Sequence, residues 1–171
     1  MLLSAIVSLA SLSLLPGLAS GAAAGPAHKK GPVIPDAEPL FQLQMNLGQS
    51  VDFGPGPRGN RFGDPIVGGA FEGPKLTGVV LPVGGDWGLL DAKGGFIAIT
   101  VMEFQTNDGA NIFVRTTGPT PNGRGLNYIS LETGHPNYYW VNDIFAFGII
   151  QVDRQKGAVT IEAWSMIAPT D

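Results

Sequence analysis

The sequence predicts an all-β fold, a single small antiparallel β-barrel of about eight or nine strands of the calycin-like kind, and three observations carry that reading. Gly 25 and Pro 14 among 171 residues punctuate the chain far more densely than ordinary usage, while apolar residues still make up 44% of it, which excludes a disordered chain. After Phe41 the apolar residues recur with period two, and no segment carries an amphipathic helical period long enough for a bundle helix. Turn signals rich in Gly and Asx separate the extended segments at regular spacing, and closing such a series into a barrel removes exposed sheet edges.

The ends of the chain differ from this body. Leu2 to Leu15 carries no charge, Pro16-Gly17 breaks it, and small residues follow from Ala19 to Ala24. The apolar run is too short to span a bilayer but suits the central region of a secretory signal, so residues 1–24 read as a signal peptide, although no Lys or Arg precedes the run. The expected location is outside the cell or in a secretory lumen, with no integral membrane span once the signal is removed. Residues 25–38 are a Pro-rich linker in which Lys29-Lys30 is either a dibasic processing site or a pair of solvated charges, and residues 39–168 form the barrel domain. No Asn-x-Ser/Thr acceptor for glycosylation occurs. Ten Lys and Arg against fourteen Asp and Glu give a net charge of −4, and without a basic cluster nucleic acid is excluded as a partner. Cys is absent, which removes disulfides, thiolate metal ligands and Cys nucleophiles together.

Taken in order, Phe41, Leu43, Met45 and Leu47 alternate with Gln42, Gln44 and Asn46, a strand with one apolar face. Gly48 to Pro65 reads as a long Gly/Pro-rich loop, a length that favours a functional or mobile role. Ile66 to Phe71 and Leu76 to Val83 are strands joined through Glu72 to Lys75. Gly84-Gly85 reads as a turn into Asp86-Trp87 and a short strand ending near Asp91. Phe96 to Gln105 is apolar on both faces and belongs in the middle of the architecture, and that two-sided apolarity fits burial by a second copy in a homodimer as well as by the core. Asn107-Asp108-Gly109 turns the chain into Ala110 to Thr117. Leu126 to Glu132, Ile144 to Asp153 and Ala158 to Ile167 complete the series, with one helical turn expected in Pro136 to Asp143.

The run from Glu38 to Leu43, the segment Gly68 to Gly78, Gly84-Gly85-Asp86-Trp87, Thr106 to Ala110, and Leu131 to Gly134 with Tyr139 to Asn142 resemble, in that order, the family called domain of unknown function 3237. The resemblance spans about residues 38 to 168. It implies a small antiparallel barrel similar in architecture to allene oxide cyclase and dirigent proteins, and it implies no single activity. The chain departs from the family in the strand before the Asn107 turn, where Ile99 and Val101 stand and Glu103 is the only charge, which implies a more apolar cavity than usual.

The candidate chemistry is sparse. Asp86 beside Trp87 reads either as a general acid or base with a stacking wall, its pKa raised in an apolar pocket, or as a carboxylate that bonds turn amides next to a ring that plugs the barrel. Glu132 with Tyr128, His135, Tyr139 and Trp140 reads as a proton-handling or cation-stabilising wall, or as a rim of half-buried aromatics beside a solvated carboxylate. Asn142 either orients a substrate carbonyl or caps a turn. Met102 and Phe104 add apolar contact area to the cavity. No metal-ligand spacing, nucleophile elbow or phosphate loop is present, so neither a metal nor a cofactor is expected. Two functions follow. One is a cofactor-independent cyclase or isomerase, of pericyclic type, acting on an apolar polyketide- or terpenoid-like molecule with Asp86 and Glu132 as its acids. The other is a secreted lipocalin-like binder of a small apolar molecule, in which the aromatic side chains supply contact without chemistry.

Overall fold

The computed structural model describes residues 33–168, and the expected signal peptide and most of the linker lie outside the described residues. The strands are β1 (Asp36–Leu47), β2 (Val51–Gly56), β3 (Gly59–Glu72), β4 (Gly78–Asp86), β5 (Leu89–Leu90), β6 (Phe96–Thr106), β7 (Asn111–Pro119), β8 (Arg124–Glu132), β9 (Phe145–Asp153) and β10 (Ala158–Ile167). Eight of them close an antiparallel barrel in the order β1-β10-β9-β8-β7-β6-β4-β3, and β3 returns to β1. The two others are additions at one end, β2 lying along β3 and β5 bridging β3 and β6. Among the described residues no helix is long and apolar enough to cross a membrane.

Period-two patterning decides which side chains enter the barrel. On β6, Ala98, Thr100, Met102 and Phe104 are buried, while Ile99, Val101 and Glu103 lie on the outer face and are half-buried. Ile99 and Val101 therefore do not line the interior, and the apolar cavity inferred from them does not follow from those positions. The interior near one end is packed solid. Phe71 and Phe104 stack at 4.3 Å between ring centroids, and Phe41 meets them edge-on at 5.8 and 5.5 Å. Over that end lies a 3-10 segment, Pro136–Asp143, where the helical turn was expected; its Val141 is buried, and Tyr138 and Trp140 pack against the core. Pro136 begins the segment where a missing N–H costs nothing. The segment is held by Tyr138, whose hydroxyl donates to Asp108 at 2.9 Å in the β6–β7 turn. That turn uses Gly109 at φ +89, as its sequence requires.

Two readings of the sequence change. Residues 48–65 do not form a long loop: β2 and the first half of β3 make a hairpin, with Val51 opposite Gly63 and Gly56 opposite Gly59. Pro55 is accommodated because β2 is an edge strand, where a missing N–H breaks no further ladder. The second change is at Gly84-Gly85, which lies inside β4 rather than in a turn. Between Val80 and Gly84 the register with β6 shifts, an irregularity that bends the strand, and Gly84 takes φ +93 with its α-carbon so close to β6 that a Cβ would lie 2.2 Å from the Val101 carbonyl oxygen. Gly-Gly serves a bulge here, and the chain continues along the barrel wall to Asp86.

Candidate functional site

The barrel end opposite the aromatic plug holds the candidate site. Along the first half of β3 the residues Asn60, Phe62, Asp64 and Ile66 share one face, and β4 brings Asp86 directly opposite Asp64. Asp86 in turn lies opposite Thr100 of β6, and Thr100 opposite Thr116 of β7. A cavity of about 260 Å³ opens beside this row. Phe62, Phe96, Val152 and Val159 are among its walls, Asp64, Asp86 and Asp153 supply its carboxyls, the last accepting from the Gln155 and Lys156 amides, and Arg154 joins from the β9–β10 turn. The Arg154 guanidinium lies 5.4 Å from the centre of the Phe96 ring.

Burial is the main cause that holds the Asp86 carboxyl above its ordinary value, and the charge of Asp64 adds to it. Against these, the N–H of Ile99 donates to Asp86 Oδ1 at 2.9 Å, and Thr100 and Arg154 favour the charged form more weakly. The result is a carboxyl that carries a proton to higher pH than a free Asp while sitting against apolar walls. Asp64 Oδ1 is buried and has no hydrogen-bond partner. Elsewhere in the barrel, Thr120 Oγ1 and both amide atoms of Asn127 are also buried without partners, on residues 1% exposed. Asn127 faces the interior, between its cross-strand partner Gly148 and Gly118. Thr120 donates its N–H to the Phe96 carbonyl and so lies just behind the cavity wall.

The site residues expected from the sequence fall into separate places. Asp86 is in the cavity. Trp87 is on the outside, in a hollow of about 200 Å³ shared with Val51, Phe53 and Gly85, where its carbonyl accepts from Arg61 at 2.7 Å. Asp86 bonds a strand amide rather than turn amides, and Trp87 plugs nothing. Met102 and Phe104 are fully packed core residues. Glu132 is exposed on the outer face of β8, on the same side as Tyr128, which pairs with Phe145 at 5.3 Å. With Glu103, Phe113, Tyr139 and Asn142 it lines a hollow of about 490 Å³ on the barrel's outer wall. That hollow is larger than the mouth cavity but shallow and open. Volume is therefore a poor guide here, and we take the enclosed carboxyl pair as the site. The structure does not bring Glu132 and Asp86 together.

The remaining candidates organise the plugged end. Asn142 accepts the Thr133 N–H at 3.0 Å and donates to the carbonyls of Thr133 and Tyr139, so all its bonds tie loop backbone together. The His135 ring lies 5.6 Å from Tyr138, and its Nδ1 is buried without a partner. Trp140 is half-buried, 6.0 Å from the Lys75 ammonium, which is itself paired with Glu38 at 2.6 Å. Sequence reasoning missed Asp64, Phe62, Arg154 and Asn127. The first two were legible as the alternation Asn60, Phe62, Asp64, Ile66 inside the segment taken for a loop, and the last two carried no local signal. Among the described residues no group of His, Asp or Glu is gathered to hold a metal ion.

Comparison with known proteins agrees with this architecture. The chain is similar to two UPF0311 proteins of Rhodopseudomonas palustris. In strain TIE-1 the identity is 28% over 120 residues, covering 60% of this chain and 78% of the relative. In strain CGA009 it is 29% with the same coverage. Among solved structures, a beta-barrel-like protein of Acinetobacter baumannii is 28% identical with a TM-score of 0.74, covering 81% of this chain and 100% of that one. A structure described as an enzyme from Penicillium herquei is 23% identical with a TM-score of 0.69, covering 81% of this chain and 99% of that one, a likeness of fold alone. The model of the family described as protein of unknown function (DUF3237) matches residues 35–127, and this chain belongs to that family.

Proposed function

We propose that the mouth of the barrel is the active site of a cofactor-independent isomerase or cyclase that acts on a small apolar molecule of polyketide- or terpenoid-like character, with Asp86 moving the proton. The observation that carries this reading is the Asp86 carboxyl itself: raised above its ordinary value by burial, bonded to the Ile99 amide, and facing a cavity with aromatic and aliphatic walls. A carboxyl raised above its ordinary value gives a proton and takes it back nearer neutral pH than an exposed Asp does. The cavity is below the roughly 300–1,000 Å³ of sites for drug-sized ligands, so the substrate is small or enters only in part. Apolar walls would hold it in one folded shape, which is the other half of catalysis in such a site. Glu132, on the outer wall, has no part in this chemistry. That a barrel of this fold is described as an enzyme in Penicillium herquei supports a catalytic use of the fold.

The test is incubation of the purified protein with fractionated apolar metabolite extracts, followed by mass spectrometry and NMR of the recovered molecules. Wild-type protein should yield a rearranged isomer of the same mass, and Asp86→Asn should reduce its formation by about 100-fold, the scale of one general acid or base. Recovery of an unchanged molecule bound at the mouth would instead favour the lipocalin-like binder without catalysis.

A further inference from the structure

Of the three carboxyls lining the mouth, Asp153 is engaged by the Gln155 and Lys156 amides, which leaves Asp64 beside Asp86. Asp64 and Asp86 stand directly opposite each other on β3 and β4, an arrangement that costs stability when both are charged, and both line one cavity. They are not equivalent. Asp86 has one oxygen committed to the Ile99 N–H. Asp64 has a buried oxygen with no partner at all. Buried polar groups of this kind are rare, and each calls for a partner. Asp64 is left able to take a proton from a guest and Asp86 to donate one to a guest oxygen, uses that a fully apolar guest without a carbonyl does not offer.

We propose that the two carboxyls divide an enolisation between them, with Asp64 as the base and Asp86 as the acid, and that the substrates are small apolar ketones or similar enolisable carbonyl compounds. This rests on the reading of the mouth as a proton-handling site and assigns its substrate class. In the forward step the C–H bond next to the carbonyl breaks and its proton passes to the Asp64 carboxylate. The electron pair forms the carbon–carbon double bond of the enol, and the carbonyl oxygen takes the proton from Asp86. Return of a proton from Asp64 to a conjugated carbon, and of the enol proton to Asp86, gives the isomer, while return to the same carbon gives exchange with solvent; both restore the two carboxyls, so no oxidant, reductant or other reactant is consumed. Burial of Asp86 suits it to the donor role, because a neutral carboxyl can donate to a carbonyl where a carboxylate cannot. The unpartnered Asp64 oxygen is free to accept.

The experiment uses 2-tetralone, a flat apolar ketone, and follows exchange of its C1 protons for deuterium by proton NMR near neutral pD. Wild-type protein should accelerate exchange. Asp64→Asn and Asp86→Asn should each reduce the acceleration by about 100-fold. Asp64→Ala replaces Asp64→Asn if the latter does not give a native circular dichroism spectrum. Full acceleration in a folded Asp64 variant with loss in Asp86→Asn would overturn the assignment of the base while leaving Asp86 as the proton carrier. Full acceleration in both variants would overturn that reading as well. If wild-type protein exchanges 2-tetralone no faster than the Asp64→Asn, Asp86→Asn double variant, the carbonyl substrate class is overturned, and the proposed isomerase stands or falls on the extract experiment alone.

Discussion

Removing the ring of Phe104 should cost the fold more than any other single aromatic truncation, and should do so without touching the mouth. Phe104 is 0% exposed, stacked on Phe71 at 4.3 Å and in edge contact with Phe41 at 5.5 Å. Truncation of a buried Phe to Ala costs about 3–5 kcal/mol, and the two lost aromatic pairs place this site at the upper part of that range. For a domain of this size roughly 3–5 °C of melting temperature goes with each kcal/mol, so Phe104→Ala should melt about 10–20 °C lower. Phe104→Leu, which keeps most of the volume, should lose about a third of that. The assay is urea and thermal unfolding followed by circular dichroism, with Phe53→Ala, at an exposed ring on the edge hairpin, changing stability by less than about 0.5 kcal/mol as the control. Below its transition the Phe104→Ala protein should exchange 2-tetralone within about twofold of wild type, since distant sites act independently. A loss below about 1 kcal/mol would show that the plug is not the packed core described, and a selective loss of exchange with the fold intact would show that the two ends of the barrel are coupled.

Further outcomes follow from the site. Because burial lifts the folded-state value of Asp86 above its unfolded one, the folded protein binds the extra proton, and its stability should fall as pH rises from the ordinary Asp value through the raised one; urea midpoints should show that fall in wild type and lose it in Asp86→Asn. Gly84→Ala puts a side chain at φ +93 and 2.2 Å from the Val101 oxygen, so it should destabilise by about 1–3 kcal/mol or more and, where folded, lower kcat by moving Asp86. Glu132→Gln should leave product formation within about twofold of wild type, measured beside Asp86→Asn in the extract assay. Tyr138→Phe removes the bond to Asp108, and faster hydrogen exchange confined to Pro136–Asp143 is the expected result.

The barrel was legible because strand periodicity reports a buried face directly. Phe41, Leu43 and Met45 do enter the core, and Asn107-Asp108-Gly109 does turn the chain between β6 and β7. What periodicity does not report is which of two apolar faces is inward: Ala98, Thr100 and Met102 face the barrel interior, and Ile99 and Val101 lie on the outer wall. Gly and Pro were read as loop throughout 48–65, although an edge hairpin tolerates both, and that reading hid Asp64. Asp86 was found because a carboxyl after Gly-Gly near an aromatic stands out in sequence. Its partners come from β3, β6 and the β9–β10 turn, and only closure of the barrel brings them together.

Closure itself joins the first strand to the last: Asp36 lies opposite Ile167, and Asn46 opposite Ala158. No N-terminal half of this barrel can be complete on its own, because β1 has one of its two neighbours more than a hundred residues away in the chain. Long loops must be closed before that pairing is rewarded, so folding is slow relative to a helical domain of equal length, and a chain emerging from the ribosome exposes the edges of β1 and β9 until β10 follows. The adjacency of the two ends also means that a short linker between them, with new termini opened in the β9–β10 turn, preserves every strand pairing while moving the break in the chain to the rim that carries Arg154.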